Sequence, residues 1–176
     1  MKRFLALTIA LSLGAVAIPA LAQGIDHSRY QRTTLNAQSA VLAAKAAELY
    51  AKLPHKFGDT LYESGVPHWV VSGVYTGAIR AMTPDENKFI ETFFRARGVE
   101  QAARDFSQAM LFTADGRNYW LPVEAPIVPY FAKELKKGQA IDLYLIQPGG
   151  TRRSSGWEWL FLVEDFQAKA QPPPSR

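Results

Sequence analysis

Carboxylates, imidazoles and aromatic rings are the side chains in this sequence that could do chemistry, and their spacing limits which chemistry is open. Asp142 and Glu158 fall on two neighbouring apolar runs and could sit cross-strand. Two carboxyl groups ~5 Å apart would suit a retaining glycosidase. Glu164 and Asp165 adjoin in sequence, so on a strand they point to opposite faces and cannot act together. His27, His55 and His68 fall in no metal-binding spacing of the H-E-x-x-H kind. Ser64-Gly65 and Ser72-Gly73 lack the rest of a G-x-S-x-G nucleophile elbow. Gly149-Gly150-Thr151 lacks the lysine of a phosphate-binding loop and reads as a turn. The chain has no Cys, which removes thiolate nucleophiles, disulfides and Cys-based metal sites. The expectation is a protein with no catalytic residues, no metal and no cofactor. A small hydrolase using Asp142 and Glu158 is the alternative.

Aromatic and guanidinium groups give the stronger lead. Trp157 and Trp159 share one face of an apolar run, Tyr144 is placed near them on the neighbouring run, and Arg152 and Arg153 lie in the loop between. Such side chains dominate binding surfaces, because they bury large areas or pair bidentately with anions. Trp159 reads as core, whereas Trp157, beside the loop, is open to either core or surface. Tyr119 and Trp120 point to opposite faces of their strand, so one is core and the other surface. The candidate ligand-binding set is therefore Arg152, Arg153, Trp157, Tyr144 and Trp120.

The elements that must position these residues follow from periodicity. Residues 33–53 read as a helix, with Leu42, Ala46, Leu49 and Leu53 on one face, Thr34 or Asn36 as cap and Pro54 as stop. Residues 55–67 read as a loop. Residues 69–81 are rich in β-branched and aromatic side chains and are interrupted by Gly73 and Gly77, as where one strand turns the corner of a small barrel. Thr83-Pro84-Asp85-Glu86 is a capping box opening a helix striped with Phe89, Ile90, Phe93 and Phe94. Two apolar runs around Asp115-Gly116 predict a hairpin. Residues 127–137 read as a short helix. Residues 138–166 read as a second hairpin, its strands parted by a Pro-, Gly-, Arg- and Ser-rich loop.

Lys2 and Arg3, the apolar run over residues 4–18 and Ala20-Leu21-Ala22 form a complete secretory signal, with cleavage after Ala22. The expectation is a periplasmic or secreted protein without a membrane span once the signal is removed. Residues 23–32 then read as a flexible leader, 33–166 as one domain and 167–176 as a disordered tail. The whole chain has 20 basic and 16 acidic side chains; without Lys2 and Arg3 the balance is 18 to 16, a net of +2. That is too weak a bias for a nucleic-acid binder.

Without the first helix and the one after the first strand, the order is three strands, one helix and two strands. This order resembles the OB-fold, a five-stranded Greek-key barrel. The resemblance covers residues 69–166 and implies α+β, an OB-like five-stranded antiparallel barrel with an N-terminal helix and a helical insertion. It further implies a binding face bordered by residues 82–107 and 147–156, with the Phe-striped helix capping the barrel or lying across that face. The functional expectation is an exported binding module engaging an envelope protein, a peptide or a glycan, or else a subunit of an envelope assembly.

Overall fold

One bent strand sets the architecture. β3 (His68–Ala81) carries β-branched and aromatic side chains along its length, but its register shifts between Tyr75 and Ile79, where Gly77 adopts a φ of 78°. The first half of β3 pairs antiparallel with β6 (Ala140–Arg153), from His68↔Ile146 to Val74↔Ala140. Its second half pairs antiparallel with β4 (Phe106–Ala114), as far as Ala81↔Gln108. One strand thus serves two sides of the sheet.

The computed structural model describes residues 25–51 and 58–169. The signal segment, Leu53, Pro54, His55 and the tail beyond residue 169 lie outside the described residues. β4 turns through Asp115 and Gly116 into β5 (Arg117–Glu124), and both turn residues have positive φ, 51° and 73°, as a type I′ turn requires. β5 meets β7 (Gly156–Ala168) in parallel through a single pair, Val123↔Val163, and β7 runs antiparallel to β6. The pairings β3–β4–β5–β7–β6–β3 therefore close a ring. Two short strands lie outside it, β1 (Gln31–Thr33) parallel on β3 and β2 (Thr60–Tyr62) antiparallel on β6. The whole is an α+β arrangement around a seven-stranded mixed sheet.

This corrects the expectation of five antiparallel strands. A ring of alternating strands cannot close on an odd number, because two neighbours must then run the same way. Here that pair is β5 and β7. The two added strands fall in segments too short and too mixed for period-2 alternation to register.

Inside the ring, Met110, Phe112, Leu121, Leu143, Phe161 and Val163 form a buried core. The helix α3 (Val128–Glu134), between β5 and β6, adds Phe131 to it. Leu35, the first residue of α1 (Leu35–Tyr50), enters the same core beside the β4–β5 turn, at the opposite end of β5. Burial of either side chain contributes roughly 2–3 kcal/mol. Of the predicted apolar face of α1, Leu42 and Ala46 are buried while Leu49 is exposed.

The helix α2 (Pro84–Arg95) opens with the predicted capping box, both reciprocal hydrogen bonds being present. Phe89, Ile90, Phe93 and Phe94 pack with Ala109, Ile146 and Leu162 on the outside of the ring. α2 therefore lies across the outer face of β4, β7 and β6 rather than closing an end of the ring. The outward side chains of β7 are apolar because α2 covers them, which explains a strand apolar at nearly every position.

Two further segments differ from expectation. The Pro-Gly-Gly-Thr-Arg-Arg stretch is not loop: β6 runs through it to Arg153, and only Ser154 and Ser155 turn. A bulge between Ile146 and Gly149 absorbs Pro148. Gly149 and Gly150 let neighbours approach, since a Cβ on Gly149 would overlap the Leu61 carbonyl and one on Gly150 would lie 2.5 Å from the Trp159 ring. Of the segment expected to be a flexible leader, residues 25–32 form a strap. Its 3-10 turn (His27–Arg29) and β1 lie along β3, with Tyr30 buried against Val70 and Tyr144. At the other end, Gln167 and Ala168, expected in the tail, belong to β7.

Candidate functional site

A single bridge holds β5 to β7, and N-terminal to it the two strands part. The space between them, flanked by the first half of α1, is a cleft of about 630 Å³. That volume falls within the range of ordinary ligand sites. Tyr119, Trp120, Trp157, Trp159 and Phe161 line it, together with Arg80, Arg117, Glu86 and Glu158. The residues that α1 contributes, Asn36, Ser39, Ala40 and Ala43, are small or polar, so the helix borders the cleft without filling it.

Local chemistry fixes each wall. The start of α1 is capped by Thr34, whose Oγ1 accepts from the Ala37 N–H, and is tied to the β4–β5 turn by the Asn36 N–H donating to Asp115 Oδ2 at 2.9 Å. The Tyr119 hydroxyl donates to Asn36 Oδ1 at 3.0 Å, which joins helix and strand at the cleft mouth. On the β7 side, Trp157 stacks on Trp159 with ring centres 5.1 Å apart and planes within 10°. Tyr50, at the end of α1, rests against Trp157 at 5.5 Å.

Trp120 points to the outside of β5 and is 37% exposed, with the Arg80 guanidinium 5.0 Å from its ring centre. Arg80 is held by a bidentate pair to Glu86, at 2.8 and 2.6 Å. Burial pushes the Glu86 carboxyl up, but hydrogen bonds from Arg80 and Thr83 outweigh it and keep the group below its usual range. Arg153 is divided between Asp85 at 2.9 Å and Glu158 at 2.8 Å. Arg117 differs: among the described residues it makes no ion pair and no side-chain hydrogen bond. The cleft thus offers aromatic faces, two neutralised pairs at its border and one uncompensated guanidinium.

The residues singled out from sequence divide accordingly. Trp120 and Trp157 line the cleft. Arg153 stands at its border, engaged by two carboxylates. Arg152 lies directly opposite Trp157 across the β6–β7 ladder, and its backbone bonds with Gly58 and Asp59. Tyr144 is not near Trp157; its partner on β7 is Asp165, eight residues further along or about 25 Å of strand. It is buried under the strap, with the His27 ring stacked on it at 3.9 Å. Sequence alone could not place it, because the β6–β7 register depends on how far the strands extend past Gly150. Arg117, Arg80 and Asn36 were missed. The one available signal was that Arg117 opens the strand after an Asp-Gly turn, at the rim of whatever that hairpin borders.

The carboxylates also lie apart. Glu158 pairs in register with Thr151 and Asp142 with Gln167, nine residues of β7 or about 30 Å of strand between them. Asp142 instead anchors the strap. Arg32 reaches it through both guanidinium nitrogens at 3.1 and 2.8 Å, with Ser72 at 2.8 Å and Lys169 at 3.0 Å. The Arg32 hydrogen bonds, with those from Lys169 and Ser72, hold its carboxyl well below the usual range. A second acidic group sits at the β5–β7 bridge. Burial pushes the Glu124 carboxyl up to about 7, and the charges of Glu164, Asp105 and Asp165 push it the same way. The Tyr30 hydroxyl donates to Glu164 at 2.5 Å, and His27 meets Asp165 at 2.7 Å.

No protein-family model matches the chain, and no curated protein matches it. Among the described residues, no helix is long and apolar enough to cross a membrane.

Proposed function

We propose that this chain is an exported binding module without catalysis of its own, built on an OB-like five-stranded barrel, which engages an envelope protein, peptide or glycan in the cleft between α1, β5 and β7. Export is supported by the positive head at Lys2 and Arg3, the apolar run after it and the Ala20-Leu21-Ala22 cleavage triplet. The barrel reading is supported by the ring order, with its helix between third and fourth strands. In that reading, the first-to-second and fourth-to-fifth connections border the recognition face. Glu86 comes from the first of these connections, Arg80 lies on β3 just before it, and Trp157 and Glu158 open β7 just after the second; all four line the cleft.

The observation that carries the proposal is the convergence of Trp120, Trp157 and Arg117, which has no ion pair among the described residues, on one open cleft. Apolar faces of this size favour contact with a ligand, and the guanidinium supplies direction. The test is capture of partners from periplasmic extract on the immobilised mature protein, beginning at Gln23, against Arg117→Ala and Trp120→Ala variants. Both side chains sit at the surface, so the fold survives their loss. The variants are expected to lose partners that the parent captures; an unchanged set would mean that recognition happens elsewhere.

A further inference from the structure

We propose that the cleft takes an extended peptide segment, which enters as an added strand between β5 and β7 with a carboxylate near its C-terminal end against Arg117. This rests on the cleft being the recognition surface and names what occupies it.

Backbone chemistry carries the argument. Among the described residues, β5 from Arg117 to Leu121 pairs only with β4, and β7 from Trp157 to Leu162 pairs only with β6. Each strand therefore presents one unpaired edge of N–H and C=O groups toward the same space, and such an edge is a template for another strand. A glycan could stack on the aromatic rings, but it has no regular series of donors and acceptors to satisfy two strand edges. An extended peptide has one.

Topology gives a guest the same sense to both edges, and the antiparallel ladder, the more stable per residue, sets the orientation. β5 and β7 run parallel, so one inserted strand that is antiparallel to β5 is antiparallel to β7 as well. Its alternate amides then pair with the two edges in turn. Running antiparallel to β5, it starts beside Leu121, near the closed bridge, and ends beside Arg117 at the cleft mouth.

The side chains fix the pattern. Tyr119 and Phe161 face the inside of the ring, where alternate residues of the guest would meet apolar surface with Trp159. Trp120 faces out and would cover the intervening residues on the other side. Arg117 shares the inward parity of Tyr119 and is the cation of the lining left without a carboxylate among the described residues. The complementary guest has apolar residues at alternate positions over about five residues and an acidic side chain, or a free terminal carboxylate, at its C-terminal end.

The test pans the mature protein with a synthetic library of random eight-residue peptides, as free acids and in parallel as C-terminal amides. Selected peptides are then measured by isothermal titration. The expected result is an alternating apolar pattern closed by a carboxylate, whose neutralisation weakens binding about tenfold or more in the parent and little in Arg117→Ala. Separate acid and amide pools tell a side-chain carboxylate from the terminal one. N-methylation along the central residues is expected to weaken binding at every position, because successive amides serve opposite edges. Loss at alternate positions only would mean addition to one edge and would overturn the insertion. Should no peptide be selected while extract partners still depend on Arg117 and Trp120, the peptide falls and the cleft stands. Binding of an oligosaccharide array that Trp120→Ala abolishes would likewise overturn the peptide. If neither library binds and both variants capture as the parent does, the reading of the cleft falls too.

Discussion

Glu124 makes the stability of the fold depend on pH in a direction opposite to that of an ordinary paired carboxylate. Its carboxyl is lifted from 4.5 to about 7 by burial and by Glu164, Asp105 and Asp165, whereas in the unfolded chain it regains its ordinary value. Between these values the unfolded chain has already lost the proton that the folded chain keeps. Stability from this group is thus fully present below pH ~4.5 and is lost as the pH rises through about 7. Each pH unit between the two is worth ~1.4 kcal/mol. Full expression would be ~3 kcal/mol, and solvent screening of a half-buried group reduces it to ~1–2 kcal/mol. Glu124→Gln removes the charge and keeps the shape. In urea titrations it should be ~1–2 kcal/mol more stable than the parent at pH 8.5 and no more stable at pH 4. Because the comparison is made at each pH, other titrating groups cancel. Equal stability of the two proteins at pH 8.5 would refute the assignment of strain to this carboxyl.

Two other substitutions test the strap and the close approach of strands. Asp142→Asn removes the charged acceptor shared by Arg32, Ser72 and Lys169 and should cost about 2 kcal/mol at pH 7 in chemical denaturation. Because the folded carboxyl lies below its ordinary value of 3.8, that advantage persists above pH ~4 and shrinks as acid protonates the group, so the two proteins should converge in acid. Gly149→Ala places a methyl group on the Leu61 carbonyl at a φ of 137° and should cost 3 kcal/mol or more, or displace β2, read as loss of amide protection at Thr60–Tyr62. A cost under ~1 kcal/mol would mean that β2 yields freely.

Local devices were legible in the sequence, because each is made by residues close together. The capping box at Thr83, the turn at Asp115-Gly116, the bend at Gly77 and the helix before Gly138 all appear where residue chemistry puts them. Long-range facts were not. The Gly-Gly pair after Pro148 looks like a turn, yet the missing Cβ atoms serve neighbours brought in from elsewhere, β2 at one and Trp159 at the other. The strap is polar and aperiodic because its hold comes from Tyr30 and a few specific polar contacts, not from an apolar face. For the site, composition singled out Trp157 and Trp120, but the register that takes Tyr144 away from them and the splay that brings Arg117 toward them lie in no local pattern.

The cleft follows from a counting argument about the ring, and this gives it a test independent of any ligand. Five strands in closed pairing need one parallel pair, and here that pair joins β5 and β7, which are separated in sequence by α3 and all of β6. Nothing short ties their N-terminal ends together, so the pair zips at Val123↔Val163 and parts beyond it. Along β5, alternate amides between Arg117 and Leu121 then point to β4 and are bonded, while those between them point into the cleft and have no strand to meet. Hydrogen exchange by NMR on the mature protein should show protection alternating with period two over Arg117–Leu121, the unprotected amides exchanging at least a hundredfold faster than their neighbours. The bonded edges of β4 and β6 supply the reference within the same spectrum. Uniform protection along Arg117–Leu121 would mean that β5 and β7 are zipped throughout, and a closed seam would have no room for a guest.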